Sequence, residues 1–193
     1  MSNRLQLKIT LENIAPPIWR RVVVPEDITF KKLHDVIQRA FGWNDCHLHE
    51  FLVGNIRIGT PSGEDFFDMD GEMLSESSTS LVAMLERKKK FRYWYDFGDD
   101  WWHEIAIEKR LPPDDAVSLA LLLDGERACP PEDCGGPWGY AELLQTLADP
   151  AHPEHEGMRE WVGDFDPEDF KLGMAAESVR KSMRRKKATK TVP

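Results

Sequence analysis

FRYWYDFGDDWWHEIAIEKR, residues 91–110, decides how this chain folds. Apolar and polar side chains alternate along both halves. Phe91, Tyr93, Tyr95 and Phe97 fall on one face of a first strand, and Trp101, His103, Ile105 and Ile107 on one face of a return strand. A period of two sends successive side chains to opposite faces of extended backbone, and Gly98-Asp99-Asp100 supplies turn chemistry between the runs. The stretch predicts an antiparallel hairpin with an aromatic inner face.

The same period recurs nearer the N-terminus, where Leu5, Leu7, Ile9 and Leu11 alternate with Gln6, Lys8, Thr10 and Glu12. IWRRVVV (18–24) predicts its hairpin partner. TFKKLHDVIQRAF changes the period: Phe30, Leu33, His34, Ile37, Ala40 and Phe41 share a helical face, with Thr29 as cap and Gly42 as stop. HLHEFLVGNIRIG predicts two strands around Gly54-Asn55, SLVAMLERKKK a short helix ending in lysines, and LALLL a strand closing at Asp124-Gly125. Beyond that the pattern is helical. Tyr140, Leu143, Leu144 and Leu147 share a face, and Pro153 and Pro167 each suit a first helical turn, the latter after Asp166 as cap. These elements predict one α+β domain over residues 1–175: a mostly antiparallel sheet built from hairpins, with packed helices and a helical C-terminal portion. A basic helix end or tail over 176–193 follows.

Charge separates the two parts. Of 25 Lys and Arg residues, seven lie in the last 14 positions, so 18 face 34 acidic residues in 1–179, a net of about −16. A body this acidic repels a phosphate backbone, leaving nucleic acid only a weak, salt-sensitive hold on the tail. No apolar run approaches the roughly 20 residues of a membrane helix. The alternating N-terminus predicts no secretory leader. Three cysteines, an odd number, then fit reduced thiols in a cytoplasm.

Motifs exclude several chemistries. The sequence has no Gly-x-Ser-x-Gly elbow, no phosphate loop ending in Gly-Lys-Ser/Thr and no Gly-x-Gly-x-x-Gly. DMDG (68–71) fails as a calcium loop, because Phe66 and Ser77 would occupy essential ligand positions. Cys46-His47 has little weight as a nucleophile pair, since strand neighbours point to opposite faces. His34 is expected as a hydrogen-bonded core residue, and His152 and His155 as solvated.

RACPPEDCGGPWGY (127–140) carries three readings. Pro130 and Pro131 fix φ, Gly135 and Gly136 allow left-handed backbone, and Pro137 suits the start of the helix carrying Trp138. That backbone reading comes first. A zinc site using Cys129 and Cys134 with His47 and His103 comes second, and a redox pair third. Asp96 and Asp99 are expected to bond turn amides, although with Trp101 and Trp102 they also suit recognition of a cationic or planar ligand.

In order and spacing, PPIWRR (16–21), HLHEF (47–51), YDFGDDWWHEI (95–105) and DGERACPPEDCGGPWGY (124–140), followed by ADPAHPEHEGMREWVGDFDPEDF, closely resemble the plasmid pRiA4b ORF-3-like (MM3350-like) family over nearly all of residues 4–172. The resemblance implies a small bacterial or archaeal α+β protein, often encoded near plasmids or mobile elements, with no established catalytic activity. Its hallmark positions here are Trp19, Arg20, Arg21, His47, Asp96, Gly98, Asp99, Trp101, His103, Pro130, Pro131, Glu132, Asp133, Gly135, Gly136 and Trp138. Leu122 stands where relatives often have cysteine, Cys134 where valine is common, and Trp102 where a polar residue is usual.

The expected function is a non-enzymatic binding module for a protein or small-molecule partner. Its candidate site comprises Arg20, Arg21, Asp96, Asp99, Trp101, Trp102, His103, Glu132, Asp133 and Trp138, and no cofactor is required. The alternative is a zinc-binding enzyme or accessory protein using Cys129, Cys134, His47 and His103. DNA association through the tail, as in a resolvase, comes third, because the serines and arginines lack a recombinase's arrangement.

Overall fold

The computed structural model describes residues 2–61, 73–85, 88–114 and 120–182. In chain order the elements are β1 (Arg4–Leu11), β2 (Trp19–Pro25), α1 (Phe30–Phe41), β3 (His49–Val53), β4 (Ile56–Gly59), β5 (Met73–Ser75) and α2 (Leu81–Leu85). They continue with β6 (Lys90–Tyr95), β7 (Trp101–Leu111), β8 (Leu121–Glu126), α3 (Gly136–Ala148), α4 (His155–Val162) and α5 (Leu172–Ser182). The strands form one sheet in the order β5-β4-β3-β6-β7-β1-β2-β8, in which only β4 and β5 run parallel. This is the α+β architecture that the alternating stretches predict. None of the described helices is long and apolar enough to cross a membrane.

Register explains why the aromatic hairpin dominates. Tyr95 pairs with Trp101, Tyr93 with His103 and Phe91 with Ile105, so six large side chains stand on one face. All six are buried. Helix α1 covers that face: Phe30 meets Phe51 edge-on at 5.0 Å and Phe91 at 6.0 Å. Each such apolar side chain taken from water contributes about 1.5–3 kcal/mol. The helix starts where Thr29 accepts a hydrogen bond from the Lys32 amide and stops at Gly42, whose φ of 97° is left-handed. On the outer face, Trp94 stacks on Trp102 at 4.7 Å, and the Arg92 guanidinium lies 3.9 Å from the Trp102 ring centroid.

Several expectations are corrected. Phe97 does not continue the inner face. It sits in the turn and packs on Trp94 at 4.3 Å. The lysines follow α2 (Leu81–Leu85): Lys88 Nζ donates to the Val53 carbonyl at 3.0 Å, and Lys90 already belongs to β6. Pro167 starts no helix, since Asp166 accepts from the Glu168 amide in a turn and α5 begins at Leu172. β8 runs through Gly125 to Glu126; a Cβ on Gly125 would come within 2.5 Å of Phe170 and 2.9 Å of Arg20. Position 175 falls inside α5, which packs on α1 and β8 and buries Val179 completely, so the helix end up to Ser182 is docked. DMDG and the tail beyond Ser182 lie outside the described residues.

Candidate functional site

The stretch 127–136 is pinned from several sides. Arg20, 1% exposed, donates to the carbonyls of Trp19, Ala40, Glu126 and Arg127 at 2.8–2.9 Å. Burial lowers its pKa to about 10, partly offset by nearby Cys129. Trp43 Nε1 donates to the Pro130 carbonyl at 3.2 Å, and the Asn44 amide donates to Glu132 Oε1 at 2.8 Å. The Gly135 amide donates to Asp99 Oδ2 at 3.0 Å. Gly136 passes so close to the hairpin tip that an added Cβ would stand 2.1 Å from the Asp99 carbonyl oxygen. Its φ of 68° also belongs to glycine's range.

That docking brings three segments around one imidazole. His47 Nε2 lies 3.1 Å from Asp133 Oδ1, 3.5 Å from Asp96 Oδ2 and 3.8 Å from Glu132 Oε2. Asp96 is held by its amide, which donates to the Leu48 carbonyl, and by Oδ1, which accepts from the Gly98 and Asp99 amides. Asp96 and Asp133 both adopt left-handed backbone, φ 54° and 57°, which aspartate tolerates better than most residues. Glu132 also accepts from the Tyr95 hydroxyl at 3.1 Å. Nε2 of His47 is buried and has no hydrogen-bond partner among the described residues. The Asp133 oxygen is near enough but off the required angle.

Groups within ligand reach of one another, among the described residues, are Cys46–His47–Glu132, His47–Asp96–Asp133 and His34–Asp45–His49. None contains Cys129, Cys134 or His103. Cysteines 46, 129 and 134 are free thiols. Burial pushes Cys129 well up and Cys134 to about 12, which disfavours the thiolate needed for metal or redox chemistry. His103 lies wholly inside the core, 5.0 Å from Phe41 and 5.2 Å from Trp43. Burial drives its pKa down to about 3, opposed only weakly by the backbone of Tyr93 and Trp101.

The expected site residues therefore separate. Asp96, Glu132, Asp133 and His47 converge, with Asp99 fastening the loop. Arg20 and Trp101 are internal, and Trp102 is on the outer face. Arg21 pairs with Glu108 at 2.7 Å and Asp124 at 3.1 Å. Trp138 projects from the first turn of α3, 88% exposed. Cys46 and His47 precede β3 rather than alternating along it, which is why both reach Glu132. His155 is not merely solvated: its Nδ1 lies 2.9 Å from the Thr146 carbonyl. A groove of about 540 Å³ between Trp43, Pro130 and Phe170 lies beside the loop, but neither His47 nor Asp96 lines it.

The sequence readings missed a second cluster. His34 Nδ1 is 2.8 Å from the Tyr93 hydroxyl and Nε2 is 2.6 Å from Asp45. His49 stacks on His34 at 3.5 Å and reaches Glu76 at 2.8 Å. The apolar company of His34 marks it as internal, but no local signal announces Asp45, His49 and Glu76 as its companions.

Comparison with known proteins agrees with the architecture. An uncharacterised protein, y4hQ, from Sinorhizobium fredii is 43% identical over 165 residues, covering 84% of this chain and 82% of that protein. The crystal structure of a protein of unknown function, MM3350 from Methanosarcina mazei Go1, superposes with a TM-score of 0.82 at 38% identity, covering 90% of this chain and 97% of that one. The sequence pattern described as plasmid pRiA4b ORF-3-like protein matches residues 3–174, and the chain belongs to that family.

Proposed function

We propose that this protein is a non-enzymatic binding module of the bacterial or archaeal cytoplasm that takes a cationic ligand in the pocket around His47. The observation that carries this reading is the convergence of Asp96, Glu132 and Asp133 within 3.8 Å of one imidazole nitrogen. Among the described residues no lysine or arginine pairs with these carboxylates, whereas most other clustered carboxylates, such as Glu50 with Arg57 and Glu108 with Arg21, have such a partner. Like charges held together without a cation repel, so a bound cation stabilises the arrangement. The side chain of Asp133 is 73% exposed, so the cluster meets solvent on that side. Arg20, Arg21, Trp101 and His103 take no part. A role beside plasmid or mobile-element functions rests on the family resemblance alone.

Thermal unfolding of the full chain tests the reading. Guanidinium and alkylammonium compounds or divalent cations should raise Tm, anions of similar size should not, and Asp96→Asn with Glu132→Gln should remove the shift. Equal stabilisation by anions, or a shift that survives the double variant, would overturn it.

A further inference from the structure

We propose that the cluster at His47 is a site for a divalent transition-metal ion of the zinc class, held by His47 Nε2 and by oxygens of Asp96 and Asp133, whose ligand atoms lie within reach of one another. The proposal rests on the cation-binding reading of the same pocket and names the ligand. Distances carry it. Hydrogen bonds to nitrogen close at about 2.7–3.2 Å, and the pocket's N···O separations of 3.1, 3.5 and 3.8 Å are mostly too long. Neighbouring ligands at zinc's N/O bond lengths of about 2.0–2.2 Å stand roughly 3.3–3.6 Å apart along the edges of a tetrahedron. The 3.1 and 3.5 Å separations of Asp133 and Asp96 from His47 Nε2 lie close to that edge. The buried Nε2 without a hydrogen-bond partner is a second, independent sign, because a ring nitrogen shielded from water is costly unless something accepts its lone pair or its proton.

Ligand chemistry narrows the ion. Calcium and magnesium favour all-oxygen cages, and copper(I) favours sulfur. One imidazole with two carboxylates suits zinc, cobalt(II), iron(II) or manganese(II). Cys46 and Glu132 form a separate group with His47 and do not join Asp96 and Asp133. The backbone supports Asp96 independently of the ion: its Oδ1 is fixed by two amides, leaving Oδ2 for the ion. Such outer bonds aim ligands before the metal arrives. Asp133, on the solvent side, gives the ion its way in. This set differs from one built on Cys129, Cys134 and His103.

Titration of the chelator-treated full chain with cobalt(II), followed by back-titration with zinc, tests the site. One equivalent of cobalt should give the intense visible absorption of a four-coordinate ion, and zinc should remove it. His47→Gln should abolish the signal and Asp133→Asn should weaken affinity at least tenfold, while a Cys129→Ser/Cys134→Ser variant binds as the parent does. If His47→Gln fails to fold, Asp133→Asn decides, since its side chain is exposed and asparagine tolerates the same backbone. No stoichiometric binding, or a signal insensitive to Asp133→Asn and lost with the two cysteines, would overturn the proposal. A chain that ignores metal but is stabilised by guanidinium compounds loses the metal inference and keeps the cation reading; one that binds neither loses both.

Discussion

Two clusters of histidine and carboxylate lie at opposite ends of a scale of hydrogen-bond satisfaction. Around His34 both ring nitrogens meet a partner, Tyr93 at one and Asp45 at the other, and Glu76 is shared between His49 Nε2 and Thr60. Gln38 ties the two sides together, donating to Tyr93 and accepting from the Asp45 amide. Around His47 a buried nitrogen faces three carboxylates and bonds none. Composition is similar, and both groups have ligand atoms within metal reach. The contrast teaches that residue identity alone does not mark a site. A satisfied network holds a core in one arrangement; an unsatisfied one near solvent, as at His47, is open to a ligand, whereas His103, whose ring nitrogens also lack hydrogen-bond partners among the described residues, is sealed in the core.

The largest expected effect breaks the satisfied cluster. His34→Leu leaves the Asp45 carboxylate and one side of the Tyr93 hydroxyl unpaired and should cost about 3 kcal/mol in denaturant unfolding. His47→Gln without ligand should cost less than about 1 kcal/mol, because no hydrogen bond of its Nε2 is lost. Equal losses would erase the distinction between the clusters.

Acid probes the same contrast. Burial, the neighbouring His49 and Lys31 lower the His34 pKa to about 4 against the pull of Asp45, and burial takes His103 to about 3. Both are depressed below the ordinary value of about 6.5, so the unfolded chain binds more protons between those limits. Stability should therefore be full above about pH 6.5 and fall as pH drops toward 4, by a few kcal/mol in all. Glu76 and Asp45, both lowered, add further loss below their ordinary range. Urea midpoints between pH 7.5 and 4.5 should show the fall in the parent and a shallower one in His34→Leu; a flat parent profile contradicts it.

A smaller effect sharpens the comparison from the pocket's side. Gly136→Ala forces a Cβ against the Asp99 carbonyl at a left-handed φ and should cost about 2 kcal/mol. It should also displace the loop carrying Glu132 and Asp133, so ligand-induced stabilisation should be lost along with the native stability. Retained stabilisation would mean that the hairpin tip does not aim the loop.

Arg20 and Arg21 show what could be read in advance and what could not. Alternation along β2 places them on opposite faces, and one is fully buried while the other pairs with Glu108 and Asp124 outside. That alternation was legible. The four carbonyls that Arg20 gathers come from β2, the end of α1, the last residue of β8 and the residue after it, and no local pattern names them. Cys46 and His47 mislead for a related reason: the strand starts only at His49, so the alternation does not govern the two residues before it.

Periodicity, capping and allowed φ act between residues a few positions apart, so the hairpins, the capped helix α1, the α+β class and the glycine and proline hinges of the 127–136 stretch can be read along the chain. The meeting of the turn after β6, the approach to β3 and the loop before α3 around His47 is set by long-range packing instead. Those three segments are separated by dozens of residues, and their meeting depends on the order of strands in the sheet and on one loop docking against a hairpin tip. No local period encodes such contacts, since the free energy that fixes them comes from burial and hydrogen bonding across the assembled fold.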